Sequence, residues 1–135
     1  MLRTEDTVIA PLHIRHHWVL AIFSTLNNHL RARVYDSAPS PVTRRDINGT
    51  LCRLHAAVDF VRVPKQPRGS CECGVHVILH AWRHFFDLGE LTSANEFMPL
   101  GKIRARIQEL AEAPATSDTA GRAKEVALVE HPTFL

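Results

Sequence analysis

Apolar and polar positions alternate between two periods along this chain. Trp18 to Phe23 is a nearly continuous apolar run, the pattern of a strand buried on both faces. Leu30 to Tyr35 alternates Leu/Arg/Ala/Arg/Val/Tyr, the pattern of a half-buried strand. Between them Leu26-Asn27-Asn28-His29 supplies turn chemistry, because Asn tolerates a left-handed backbone. The two runs therefore predict a hairpin. Val8 to Pro11 predicts a short edge strand and Val58 to Val63 a further one. Ser40 and Pro41 suit the cap and first position of a helix over 42–56, weakened by Gly49. Val75, Ile78, Leu79, Trp82, Phe85 and Phe86 recur at helical spacing and predict a helix over 74–86; Ile103, Ile107 and Leu110 predict another over 102–111. Residues 1–7 read as a frayed end, 64–71 as a loop, and 113–122 as a linker before a tail.

Composition narrows the class. With 135 residues, 45% apolar and 22% charged, the chain suits one compact domain rather than a disordered one. A net charge of +2 is too small to argue for nucleic acid by itself, although Arg31, Arg33, Arg44, Arg45, Arg53, Arg62 and Arg68 cluster; they read as a solvated Arg-rich surface, or as one that meets an acidic partner or RNA. Three cysteines, Cys52, Cys71 and Cys73, are an odd number and fit a reducing compartment better than a disulfide framework. The chain shows no apolar leader and no run long enough to span a bilayer, so the expectation is an intracellular protein of cytoplasm or nucleus, away from membranes.

The candidate chemistry gathers at the ends of these elements. A thiol attacks a carbonyl as thiolate, which a base, a cation or a helix N-terminus favours. Cys73 stands at the start of the 74–86 helix, where orphan N–H groups and the positive end of the dipole collect. Gly74 after it leaves room for a substrate backbone. His17 stands at the mouth of the strand 18–23 and Asp36 at the far end of the next. A hairpin turning at Asn27-Asn28 places the start of one strand beside the end of the other, so the two are expected to meet across nineteen positions. Gln66, in the loop before Cys73, offers an amide N–H that could join the Cys73 backbone N–H in an oxyanion hole. Trp18 could flank a bound tail or pack in the core, while Cys52 reads as core packing. Cys71 is the rival nucleophile, and His13 and His16 are rival bases; strand alternation would place His16 opposite His17. His76, His80 and His84 have the i, i+4 spacing of a zinc-holding helix but lack an evident further ligand, and read as the polar or semi-buried side of that helix. No metal and no cofactor is expected.

Three segments carry a resemblance: Pro11-Leu12-His13-Ile14-Arg15-His16-His17-Trp18-Val19-Leu20, Val34-Tyr35-Asp36-Ser37, and Gln66-Pro67-Arg68-Gly69-Ser70-Cys71-Glu72-Cys73-Gly74-Val75. In this order they resemble the SUMO-specific (SENP-type) cysteine peptidases and their adenoviral-proteinase relatives, whose signatures look like His-Trp, Tyr-Asp-Ser and Gln-Pro-x-Gly-x-Asp-Cys-Gly. The resemblance covers about residues 8–86. The Gln-to-Cys spacing of seven is one longer than usual in the SUMO-protease branch, and Glu72 stands where that group usually has Asp. The resemblance implies an α+β papain-like cysteine peptidase fold in permuted order, with a small, mostly antiparallel sheet packed on a central helix that starts at the nucleophile. It implies a catalytic set of His17, Asp36, Gln66 and Cys73, substrate contacts at Trp18 and Gly74, and cleavage after the Gly-Gly tail of a ubiquitin-like protein or its conjugates. Against the family domain the chain reads as N-terminally truncated: a partial catalytic domain over 8–112, with 113–135 as linker and tail. The alternative expectation is an inactive remnant, of a mobile element for instance, that at most binds a ubiquitin-like partner or nucleic acid.

Overall fold

The computed structural model describes residues 7–91, 100–114 and 118–128. The N-terminal residues 1–6 and the tail beyond 128 lie outside the described residues, as do 115–117 of the expected linker. The architecture is α+β: one four-stranded mixed sheet in the order β1-β2-β3-β4 and, among the described residues, four helices.

Strands β1 (Val8–Ile14), β2 (His17–Leu26) and β3 (His29–Tyr35) form an antiparallel meander, and β4 (Ala57–Val61) pairs parallel with β3. The expected hairpin closes at Asn27 and Asn28, both with positive φ (52° and 63°), the backbone that a two-residue turn between twisted strands requires. A second turn of the same kind, at Arg15 and His16 (φ 49° and 61°), joins β1 to β2, and the first strand runs on to Ile14, past the Pro11 at which its apolar pattern ends. The exposed His16 thus sits in a turn rather than on a strand, and Arg15 beside it forms an ion pair with Asp46.

Helix α1 (Pro41–Cys52) makes the crossover from β3 to β4 that parallel pairing needs. The Ser40 side chain accepts a hydrogen bond from the Thr43 N–H (3.1 Å), which satisfies one orphan donor of its first turn. Ile47 and Leu51 press against Val19, Ala32 and Val34 on one face of the sheet. Cys52 is exposed at the end of α1, which corrects the expectation that it packs in the core.

Helix α2 (Cys73–Phe85) covers the other face and is central to the fold. Val77 joins Leu20, Ile22, Tyr35 and Val63 in a cluster against the sheet. On another side of the helix, Val75 and Leu79 pack with Leu91, Leu100 and Ile103, the last two from helix α3 (Leu100–Glu112). Helix α4 (Thr119–Ala127) buries Ala123 and Ala127 and begins inside the stretch that reads as linker in the sequence. No helix of the described residues is long and apolar enough to cross a membrane.

Two histidines of α2 are core residues rather than a polar face. His76 and His80 are 2% and 4% exposed, and His80 lies against the Tyr35 ring with centroids 5.1 Å apart. Burial pushes the His76 ring down to about 4, with the Glu72 carboxylate pulling weakly the other way. Burial likewise pushes His80 down to about 3, helped by His76 and Arg83. Above the ordinary 6.5 both rings are neutral in the folded and unfolded chain alike. Below it the unfolded rings take protons that the folded rings refuse, so stability falls with falling pH, by about 1.4 kcal/mol per pH unit for each ring, until the folded values are reached. Thermal unfolding followed by circular dichroism is expected to shift to lower temperature between pH 7 and pH 5. His80→Leu is expected to flatten that slope, and an unchanged slope would assign the acid sensitivity to other groups.

Candidate active site

Each candidate residue stands a short step from one member of the cluster under α2. Leu20 follows His17 by three positions, Tyr35 immediately precedes Asp36, Val63 precedes Gln66 by three, and Val77 follows Cys73 by one helical turn. That shared cluster ties the four segments to one part of the core. Tyr35 fixes its own position further: its hydroxyl donates to Glu90 Oε1 at 3.0 Å, and burial holds its proton on up to about 12, with Glu90 adding to the effect and Arg33 opposing it.

The hairpin brings His17 and Asp36 together. The His17 Nε2 and Asp36 Oδ1 atoms are 2.6 Å apart, with side chains 15% and 3% exposed. The same carboxylate oxygen accepts from the Ala38 backbone N–H at 3.0 Å, while Oδ2 is buried with no hydrogen-bond partner among the described residues. An oriented carboxylate on Nε2 fixes the ring and leaves Nδ1 as the nitrogen able to take up a proton.

Gln66 is held to the chain just beyond Asp36. Its backbone N–H donates to the Ser37 carbonyl (2.8 Å), and the Ser37 hydroxyl donates to Gln66 Oε1 (2.7 Å). Its Nε2 donates to the Ser70 carbonyl (2.8 Å), which leaves the second N–H of that amide for another acceptor. The Ser70 carbonyl is presented by a turn closed by the Ser70 N–H on Pro67 O (3.0 Å), in which Gly69 takes the positive φ of 76°. The buried Ser37 is a positioning residue that the sequence reading did not single out; the Tyr-Asp-Ser segment was its only signal.

Cys73 is the first residue of α2 and is partly exposed, whereas Cys71 is exposed in the preceding loop. Glu72 occupies the cap position without a side-chain cap bond, so it does not cap the first-turn N–H groups beside the sulfur. Glu72 is engaged instead by Arg104 of α3, whose Nη2 reaches Glu72 Oε2 at 3.1 Å and the Cys71 carbonyl at 3.0 Å. Arg104 thereby ties the residues leading into Cys73 to a separate helix, a role with no sequence signature. The space over the Cα of Gly74 is open, with no atom within 4 Å of where a Cβ would stand. Trp18 is 43% exposed and lies against the His13 ring (4.7 Å), free to meet a ligand on its remaining face.

The thiol of Cys73 and the ring of His17 share no hydrogen bond among the described residues. Two linked halves are thus built: the His17–Asp36 pair, and the Gln66–Ser37–Ser70 lattice that leads into Cys73. Among the described residues no three His, Cys, Asp or Glu side chains gather to hold a metal ion. No protein-family model, no curated protein and no solved structure matches the chain.

Proposed function

We propose that the chain is a cysteine peptidase of papain-like type that cleaves after the Gly-Gly tail of a ubiquitin-like protein or its conjugates. The observation that carries this reading is the 2.6 Å contact between His17 Nε2 and Asp36 Oδ1, with a carboxylate nine-tenths buried and a ring whose other nitrogen has no hydrogen bond among the described residues. In this reading His17 Nδ1 takes the Cys73 proton as the sulfur attacks the carbonyl carbon of the terminal Gly. The carbonyl oxygen becomes an oxyanion held by the free N–H of Gln66 Nε2 and the Cys73 backbone N–H. As the tetrahedral centre collapses, the imidazolium returns its proton to the departing amine and a thioester remains. Water, deprotonated by the same ring, then releases the free carboxylate and the thiol. Asp36 stabilises the imidazolium throughout. Trp18 and the open space over Gly74 suit a tail of residues without side chains.

Incubation with a ubiquitin-like protein carrying an electrophile after its Gly-Gly end tests the reading. One covalent adduct per chain is expected, mapped to Cys73 by peptide sequencing. An adduct on Cys71 or Cys52, or none, would overturn it. The missing hydrogen bond between thiol and ring favours one rival, a chain that holds such a partner without cutting it; saturable binding without an adduct is its signature.

Ser37→Ala removes the donor that fixes Gln66 Oε1. Turnover is expected to fall about tenfold through kcat with KM nearly unchanged, for a stability cost of about 1 kcal/mol. Steady-state kinetics on a Gly-Gly-ended fluorogenic substrate checks this, and Ser37→Thr, which keeps the hydroxyl, is expected to restore most of the loss.

A further inference from the structure

A second recess adjoins Asp36 and plays no part in the scheme above. It holds about 260 Å³ and is walled by Pro39 and Arg44 at the start of α1, by Phe60 of β4, and by Arg62 and Lys65 in the strand's exit loop. Its charge is strongly one-sided. Among the described residues Arg44, Arg62 and Lys65 have no ion-pair partner. The Arg44 guanidinium lies over the Phe60 ring at 4.5 Å, which orients its plane and leaves its edge N–H groups available. The first turn of α1 carries no acidic residue, so the positive end of that helix adds to the field. The one acid in the wall, Asp36, already accepts two hydrogen bonds on Oδ1, one of them from His17.

We propose that this recess receives an acidic segment of the protein substrate, docking carboxylate side chains on Arg44, Arg62 and Lys65 beside the His17–Asp36 pair. Three cations, one on α1 and two in the loop after β4, line one concave spot, which suits two or three carboxylates rather than a track of evenly spaced phosphates. The neighbouring arginines of β3 that could extend such a track are already paired, Arg31 with Asp59 and Arg33 with Glu90. Only the placement of the acidic segment within the substrate rests on the peptidase reading; the binding itself does not use the thiol.

Anisotropy of a labelled Glu-rich octapeptide at low salt tests this, with the Gln-rich analogue and a single-stranded oligonucleotide of equal charge as comparisons. The Glu-rich peptide is expected to bind with a salt-sensitive affinity better than about 1 mM, and the Gln-rich one not to bind. The Arg44→Gln, Arg62→Gln, Lys65→Gln triple variant is expected to lose about tenfold in affinity, and Arg62→Gln with Lys65→Gln, which keeps the Arg44 stack, most of that loss. Arg45→Gln, exposed on α1 but outside the recess, is expected to stay within about twofold. Equal binding of the neutral peptide, tighter binding of the oligonucleotide, an Arg45 effect as large as the triple variant's, or no saturable binding overturns the proposal. A chain that binds the peptide yet forms no adduct with the electrophilic probe sinks the peptidase reading alone; one that forms the adduct yet ignores the peptide sinks the docking recess alone.

Discussion

A chain carrying Cys73→Ala is expected to lose turnover of a Gly-Gly-ended substrate down to the uncatalysed background, a drop of about 10⁴-fold or more. The reason is that the rival thiol, Cys71, is less well placed for the attack. Cys71 lies in the preceding loop, its carbonyl tied to Arg104, and lacks the helix N-terminus on which Cys73 stands. The substitution leaves stability nearly unchanged, because the side chain is small and only partly buried. Binding of the intact substrate is expected to persist in this variant, since the Trp18 surface and the cationic recess are untouched. Loss of binding together with turnover would point to misfolding. Survival of turnover would move the nucleophile elsewhere.

Replacing His17 by alanine is expected to lower kcat by about 10³ to 10⁴, close to the effect of removing the thiol, because the two act as a unit. Asp36→Asn is expected to cost about 10² to 10⁴ by withdrawing the negative charge that favours the imidazolium and by offering the wrong hydrogen-bonding partner to Nε2. The His17→Ala, Asp36→Asn double variant should be hardly worse than His17→Ala alone, since Asp36 acts through the ring. Steady-state rates on the four chains close this cycle, and additive losses would mean that Asp36 serves something other than His17. Asp36→Asn also tests a structural role, because Oδ1 caps the Ala38 N–H; circular dichroism of the variant separates a fold defect from a chemical one.

The same residues show how much of the fold and site local sequence chemistry encodes. Asn27 and Asn28 announce their turn because Asn tolerates the left-handed backbone, and from that turn the meeting of His17 with Asp36 follows by strand geometry alone. Arg15 and His16 adopt the same backbone without any such signature, so the β1–β2 hairpin was invisible. Helix α4 starts within a Ser/Thr/Ala/Gly stretch that reads as linker; it is held by the burial of Ala123 and Ala127, residues too small to show as an apolar stripe. Periodicity placed His76 and His80 on one helical face correctly, but not that the face is turned inward, since two polar rings among apolar neighbours carry no sign of burial. Gln66 stands out in the sequence as the neutral amide of the loop before Cys73. Its hold by Ser37 and Ser70, and the clamp of Arg104 on the Cys71–Glu72 step, depend on contacts across the fold that no local pattern encodes.

Peptidase chemistry at this site requires the imidazole of His17 to act on the sulfur of Cys73, and the crystal structure of the covalent adduct with a Gly-Gly-ended electrophile measures that most directly. In the adduct His17 Nδ1 is expected within hydrogen-bond reach of Sγ, about 3.5 Å, with Nε2 still on Asp36 and the adduct oxygen facing Gln66. An adduct in which the ring stays beyond about 6 Å from the sulfur, with Asp36 alone as its neighbour, would contradict it.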